Sequence, residues 1–203
     1  MYLNIISTAT KIGENRLNTL LPMLNCLPID YQVIYNNVTE IGYDALTARV
    51  KLLVKQNYDN DFFIFGEDDL ILTDFFCIEV LDAFINECLI REAGVLFTGS
   101  HHVYGVKKTN IKGLVKLNGG RGCQLVVVFK PMYDLILGID NKNHIDSVLS
   151  AFGVYADLYL TIPFLSKQMP DADSLINKFK NKKVGELFNC AEQQLMKLIS
   201  NES

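Results

Sequence analysis

Phe62-Phe63-Ile64-Phe65-Gly66-Glu67-Asp68-Asp69-Leu70-Ile71-Leu72 is the stretch that decides the fold. Four bulky apolar residues run straight into three carboxylates. An apolar run without polar alternation, rich in aromatics and Ile, predicts a strand covered on both faces. It must end where the acids begin, because burying ionised side chains without partners is prohibitive. The acids then stand at the C-terminal mouth of a central strand, where open α/β sheets place their ligands. Three crowded carboxylates repel one another unless a cation joins them, and hard divalent ions take carboxylate oxygens. Taken alone, the same stretch also fits a solvated acidic turn after a core strand.

Outward from that strand the pattern alternates. Tyr2 to Ser7 reads as a first strand, with Ser7 to Gly13 as its exit loop. Asn15 to Leu24 is a helix with Leu17, Leu20, Leu21 and Leu24 on one face. Tyr31 to Tyr35 is a second strand closed by Asn36-Asn37, and Tyr43 to Gln56 a second helix. Thr73 or Asp74 is expected to cap a third helix running to Leu89. This β-α-β-α-β-α order predicts parallel strands joined by right-handed crossovers. Further on come a strand at Ala93 to Thr98, a basic hairpin at Lys107 to Leu117 and a flexible loop at Asn118 to Gly122. An apolar strand at Gln124 to Phe129, a helix opened by Pro131, a short helix at His144 to Phe152 and a strand at Ala156 to Thr161 follow. Asp171 to Lys183 is polar, and Val184 to Ile199 a C-terminal helix.

With 203 residues, 49% of them hydrophobic, the chain has the size of one domain, 1–203, with ample core. A net charge of −4 and a pI near 5.4 argue against nucleic-acid packaging, though not against an enzyme with a local basic patch. The five cysteines form no C-x-x-C pair and read as free thiols in a reducing compartment, so a cytoplasmic location is expected. Met1-Tyr2-Leu3-Asn4 does not open a signal peptide, and no apolar run has the length of a membrane span.

Gly42-Tyr43-Asp44-Ala45-Leu46-Thr47-Ala48-Arg49, then a hydrophobic strand, then Glu67-Asp68-Asp69, is an order that resembles the nucleotide-sugar half of GT-A glycosyltransferases. There a Gly…Ala-Arg helix precedes the D-x-D carboxylates. The later part resembles the lipooligosaccharide and collagen glycosyltransferase family. In that family a Glu-Asp-Asp motif is followed by a Gly-rich loop, an apolar strand, a helix, and an Asp on a short helix. The matching positions are Gly119 to Gly122, Leu125 to Phe129, Met132 to Leu137, and Asp146. The resemblance covers most of residues 2 to 168 and departs at Glu67, which takes the first D-x-D position, and at Arg121.

The resemblance implies a single GT-A-like (Rossmann-like) α/β domain with a mostly parallel central sheet flanked by helices. Residues 1–100 would be the nucleotide-sugar half, 101–168 the acceptor and catalytic half, and 169–203 a polar segment and C-terminal helix. It implies Mn²⁺ or Mg²⁺ held by Asp69 with Glu67 and His101. From their own positions rather than from the resemblance, Ser7, Thr8, Asn36 and Asn37 at the other strand mouths and Arg121 among its glycines would join Arg16, Arg49, Glu67 and Asp68 around a nucleotide-sugar, with a UDP-sugar ranked first. Asp146 would be the catalytic base. The chemistry agrees, since a departing diphosphate develops charge that a cation stabilises.

Each residue also has a plainer role. Arg49 fits a surface ion pair, Arg121 a solvent-facing turn, His101 a structural histidine, and Asp146 an acid favoured by a helix N-terminus. The acceptor is expected to be a saccharide, a protein, a small molecule or a hydroxymethylated base in phage DNA. The last follows from small size, lysine stretches (Lys107, Lys108, Lys112, Lys116; Lys178, Lys180, Lys182, Lys183) and an AT-rich flavour, and would place the protein in a host cytoplasm. Two other functions compete. A sugar-phosphate nucleotidyltransferase would need a basic Gly-rich loop directly after the first strand, where Ser7 to Gly13 offers Lys11 and one glycine. A non-catalytic module would use the acidic mouth for Ca²⁺ or a partner.

Overall fold

The structure, a computed structural model, describes residues 1–36, 43–169 and 182–200. Strand β1 (Tyr2–Thr8) leads to helix α1 (Lys11–Asn25), β2 (Asp30–Asn36), α2 (Tyr43–Gln56), β3 (Phe62–Glu67), β4 (Leu70–Leu72) and α3 (Ile78–Ile90). Next come β5 (Val95–Phe97), β6 (His102–Tyr104), β7 (Lys107–Lys108), β8 (Leu114–Leu117), β9 (Gly119–Arg121) and β10 (Leu125–Phe129). A 3₁₀ turn at Lys130–Met132 opens α4 (Tyr133–Gly138), followed by α5 (Ile145–Ala151), β11 (Leu158–Thr161), β12 (Ser166–Gln168) and α6 (Lys182–Ser200).

Eight strands form one sheet in the order β2-β1-β3-β10-β5-β11-β8-β7. As expected, it is a mostly parallel, Rossmann-like sheet flanked by helices. β1 pairs in parallel with β2 and β3, and β5 with β11, while β10 and β8 run against their neighbours. Successive residues face opposite sides of a strand, so a strand covered on both faces must be apolar throughout. β10 meets this with all of Leu125 to Phe129 buried. Val126 and Val128 join Phe63 and Phe65 in one core, under α2, α4, α5 and α6. Leu125, Val127 and Phe129 join Ile64 in the other, under α1 and α3.

Three expectations are corrected. Helix α1 begins at Lys11, inside the expected loop, because the Thr10 side chain caps it by accepting from the Gly13 N–H. Helix α3 begins at Ile78 with Cys77 at its N-cap, and neither Thr73 nor Asp74 caps it. The Thr73 hydroxyl instead donates to the Phe164 carbonyl and accepts from the Phe75 N–H, which makes a local turn. The Gly-rich stretch is not a loose loop: Gly119–Arg121 pairs antiparallel with His102–Tyr104, and glycine lets that strand lie close against Ser150 and Tyr104. The basic hairpin is present as β7 and β8. The polar segment and the second lysine stretch fall largely on residues 170–181, outside the described residues.

Gly13 lets the first turn of α1 lie directly on the end of β1. A Cβ there would run into the Thr8 carbonyl oxygen and crowd the Ser7 and Thr8 hydroxyls. Gly13→Ala is therefore expected to destabilise the fold by about 1–3 kcal/mol, the usual cost of forcing atoms into a filled space. Denaturant unfolding measures it, and an unchanged midpoint would show that the helix can shift at no cost.

Candidate functional site

The winding of the sheet reverses between β1 and β3: the chain goes from β1 to β2 on one side and to β3 on the other. That reversal opens a crevice at the C-terminal strand ends, the usual ligand position of open α/β sheets. Ile6 lies opposite Glu67, and Thr8 opposite Asn36, so Ser7, Thr8, Asn36 and Glu67 share one mouth. Because β10 runs the other way, its beginning lies at the same mouth, with Leu125 opposite Gly66. This brings Gly122, Cys123 and Gln124 to the acids.

Asp68 and Asp69 are both buried, at 3% and 4% exposure. Asp68 turns back on β1 and α1. It accepts from the Ser7 hydroxyl at 2.7 Å, from the Thr8 N–H at 3.4 Å and from the Arg16 guanidinium at 2.8 Å. Arg16 also stands 3.7 Å from Asp69 Oδ2, which accepts from the Gln168 amide at 2.8 Å. Asp69 Oδ1 is buried without a hydrogen-bond partner. Burial raises the Asp69 carboxyl to about 6, with Arg16 pulling it down and Asp68 pushing it up.

Glu67 is half-buried beside them. Burial of its carboxyl, then the charges of Asp69, Asp146 and Asp68, hold it well above the ordinary carboxylate range. The charge of Asp146, 79 positions further along the chain, acts on Glu67 and also on Cys123 and His101. Asp146 sits in the first turn of α5, where its side chain accepts from the Ser147 N–H at 2.7 Å. His101 follows β5, with its ring 5.5 Å from that of Phe188 and Nδ1 buried without a partner. Burial lowers its pKa, against the raising effect of Asp146, so the imidazole is neutral at pH 7. Arg121 is exposed on β9 opposite His102, near enough to His101 to lower its pKa further.

Arg49 lies one strand away, donating through Nε to Asn36 Oδ1 at 3.0 Å at the end of β2. Asn37 lies outside the described residues. The structure thus gathers Ser7, Thr8, Arg16, Glu67, Asp68, Asp69, His101, Arg121 and Asp146 around one mouth, with Asn36 and Arg49 at its β2 side. Two residues not singled out in the sequence join them. Gln168 holds Asp69, and Gln124 reaches Gln168 at 3.4 Å while its own Oε1 is buried without a partner. A polar residue heading an apolar strand was the only signal of Gln124, and Gln168 had none. A cleft of about 610 Å³ beside Asp61, Phe129 and Lys130 lies at the opposite end of these strands.

No family model matches this sequence, and no curated protein matches it. Solved structures share its fold. An apo UDP-glucose pyrophosphorylase is 10% identical with a TM-score of 0.50, over 95% of this chain and 81% of that one. UDP-glucose pyrophosphorylase complexed with UDP-glucose is 10% identical with a TM-score of 0.52, over the same 95% and 81%. A197 from STIV is 12% identical with a TM-score of 0.51, over 88% of this chain and 97% of that one. At these identities the likeness is one of fold. Among the described residues no helix is long and apolar enough to cross a membrane.

The raised Asp69 carboxyl makes stability depend on pH. The folded chain holds this proton more tightly than the unfolded one, about 6 against 3.8. The contribution is therefore full below the unfolded value and lost as pH rises through the folded one. The melting temperature of Asp69→Asn is expected to fall less than that of the wild type between about pH 4 and about pH 6. Parallel curves would contradict the assignment.

Proposed function

We propose that this mouth binds a nucleotide-sugar and transfers its sugar to an acceptor hydroxyl. The observation that supports the reading is that the charge of Asp146 acts on both Glu67 and His101, at a mouth that Glu67 shares with Ser7, Thr8 and Asn36. In the step proposed, the acceptor oxygen bonds to the anomeric carbon while the bond from that carbon to the diphosphate breaks. The bonding pair leaves with the diphosphate, and Asp146 takes the hydroxyl proton. Arg49, held by Asn36, and Arg121 supply positive charge for the nucleotide.

A divalent cation fits the donor set in a limited way. Asp69 Oδ1 is a buried acceptor without a partner, with the Glu67 carboxyl and the neutral His101 imidazole at the same mouth. Among the described residues, however, no group of three or more His, Cys, Asp and Glu side chains is placed to hold an ion. Such a set suits Mg²⁺ or Mn²⁺ that is bound through one or two carboxylates together with substrate phosphates. Asp69, with Glu67 and His101, would hold it, and when bound it would offset the charge on the diphosphate.

Nucleotidyl transfer is the second reading, favoured by the fold shared with the UDP-glucose pyrophosphorylases and by α1, whose first turn with Lys11 directly follows β1. The products separate the two: a nucleoside diphosphate with the transferred sugar, or pyrophosphate. The acceptor proposed is a saccharide or a hydroxymethylated base.

Asp146→Asn keeps the shape and cannot take the proton. It is expected to leave donor affinity near wild type and to cut transfer by ~10²–10⁴. Rates within a few fold of wild type would remove Asp146 from the mechanism. Arg49→Ala is expected to raise the donor KM at unchanged kcat, for a loss of about 1.5–3 kcal/mol from one charged hydrogen bond. A wild-type KM would make Arg49 a support for Asn36 alone.

A further inference from the structure

The acids at the mouth are already joined by a cation belonging to the chain itself. Arg16 projects from α1, its side chain only 11% exposed, and lies 2.8 Å from Asp68 Oδ1 and 3.7 Å from Asp69 Oδ2. Ser7 and Thr8 take the second oxygen of Asp68, and Gln168 shares Oδ2 of Asp69. Among the described residues, Asp69 Oδ1 alone of the four oxygens on these two carboxylates is left without a hydrogen bond. Even with Glu67 and His101 at the same mouth, one buried oxygen is too few to strip a hydrated divalent ion of its water, since such ions take several ligands and no three such side chains among the described residues are placed to hold one.

We infer that Arg16 is a built-in counter-cation that keeps Asp68 and Asp69 from holding a divalent ion in the free protein. The ion then enters only with a ligand that brings its own oxygens, such as a diphosphate. Arg16 is in this account a positioning residue: it acts on the carboxylates and has no direct part in bond making. The geometry explains why an Arg occupies this position. A guanidinium bridges two carboxylates with fixed donors and stays charged at any working pH.

The blocking role stands without the transfer reading, because it concerns the metal alone. Calorimetric titration of Mn²⁺ without nucleotide, with melting curves in the same solutions, tests it on the full chain. Wild type is expected to show no saturable Mn²⁺ binding below the millimolar range and no rise in melting temperature. Arg16→Met exposes the oxygens that Arg16 covered, and is expected to bind Mn²⁺ at least ~10-fold more tightly and to be stabilised by it. Arg16→Lys keeps the charge and is expected to follow the wild type, which separates electrostatic blocking from simple loosening of the site. If Arg16→Met does not fold without metal, recovery of the fold by Mn²⁺ supports the inference. Failure to fold with or without it moves the test to Arg16→Gln, for which the same gain is expected. Micromolar binding of Mn²⁺ alone to wild type would overturn the inference. So would an unchanged Mn²⁺ affinity in the neutral variants, or a gain in Arg16→Lys equal to theirs.

Discussion

The buried pair between Arg16 and Asp68 is the interaction on which the mouth depends. It ties the first helix to the end of the central strand, and the Ser7 hydroxyl and Thr8 N–H complete the tie through β1. Both partners have left water, so removing one would leave a buried charge unpaired, at a cost of about 3–5 kcal/mol. That is a large part of the stability of an ordinary domain. The pair therefore serves architecture first. It holds β1, α1 and β3 in one arrangement and lets acids gather where their mutual repulsion would otherwise open the crevice.

The remaining acids are accommodated in other ways. Asp69 is pushed up to about 6 by burial, so near neutral pH its charge is held against a real penalty. Glu67 is raised well above the ordinary carboxylate range by burial first, then by the charges of Asp69, Asp146 and Asp68. Groups with perturbed affinities for protons, drawn from distant parts of the chain into one crevice, are what a chemical site requires. Structural ion-pair networks produce similar shifts. This cluster also holds buried acceptors with no hydrogen-bond partner among the described residues: Asp69 Oδ1, His101 Nδ1 and Gln124 Oε1.

Much of the architecture was legible in the sequence because it rests on short-range rules. The unbroken apolar run before Glu67 dictated a two-sided strand, and the leucine spacing of residues 17 to 24 gave the buried face of α1. The direction of β10 was not legible. Its residues would be equally apolar in either orientation, yet the antiparallel direction is what carries Cys123 and Gln124 to the mouth. The cap of α3 was misplaced because Thr73 is spent on Phe164, a contact 91 positions away that no local pattern records. In the site, the acids announced themselves by crowding at a strand end. The partnership of Arg16 with Asp68 spans 52 positions and had no local mark, and Gln168 had none either.

The central claim is that the crevice between β1 and β3 receives the diphosphate of a nucleotide-sugar. A crystal structure of the protein grown with UDP and Mn²⁺ tests it most directly. The account predicts the diphosphate at the C-terminal ends of β1 and β3, beside Asp69, which would hold the ion. A nucleotide seated instead in the cleft beside Asp61 and Lys130, at the other end of the sheet, would contradict it.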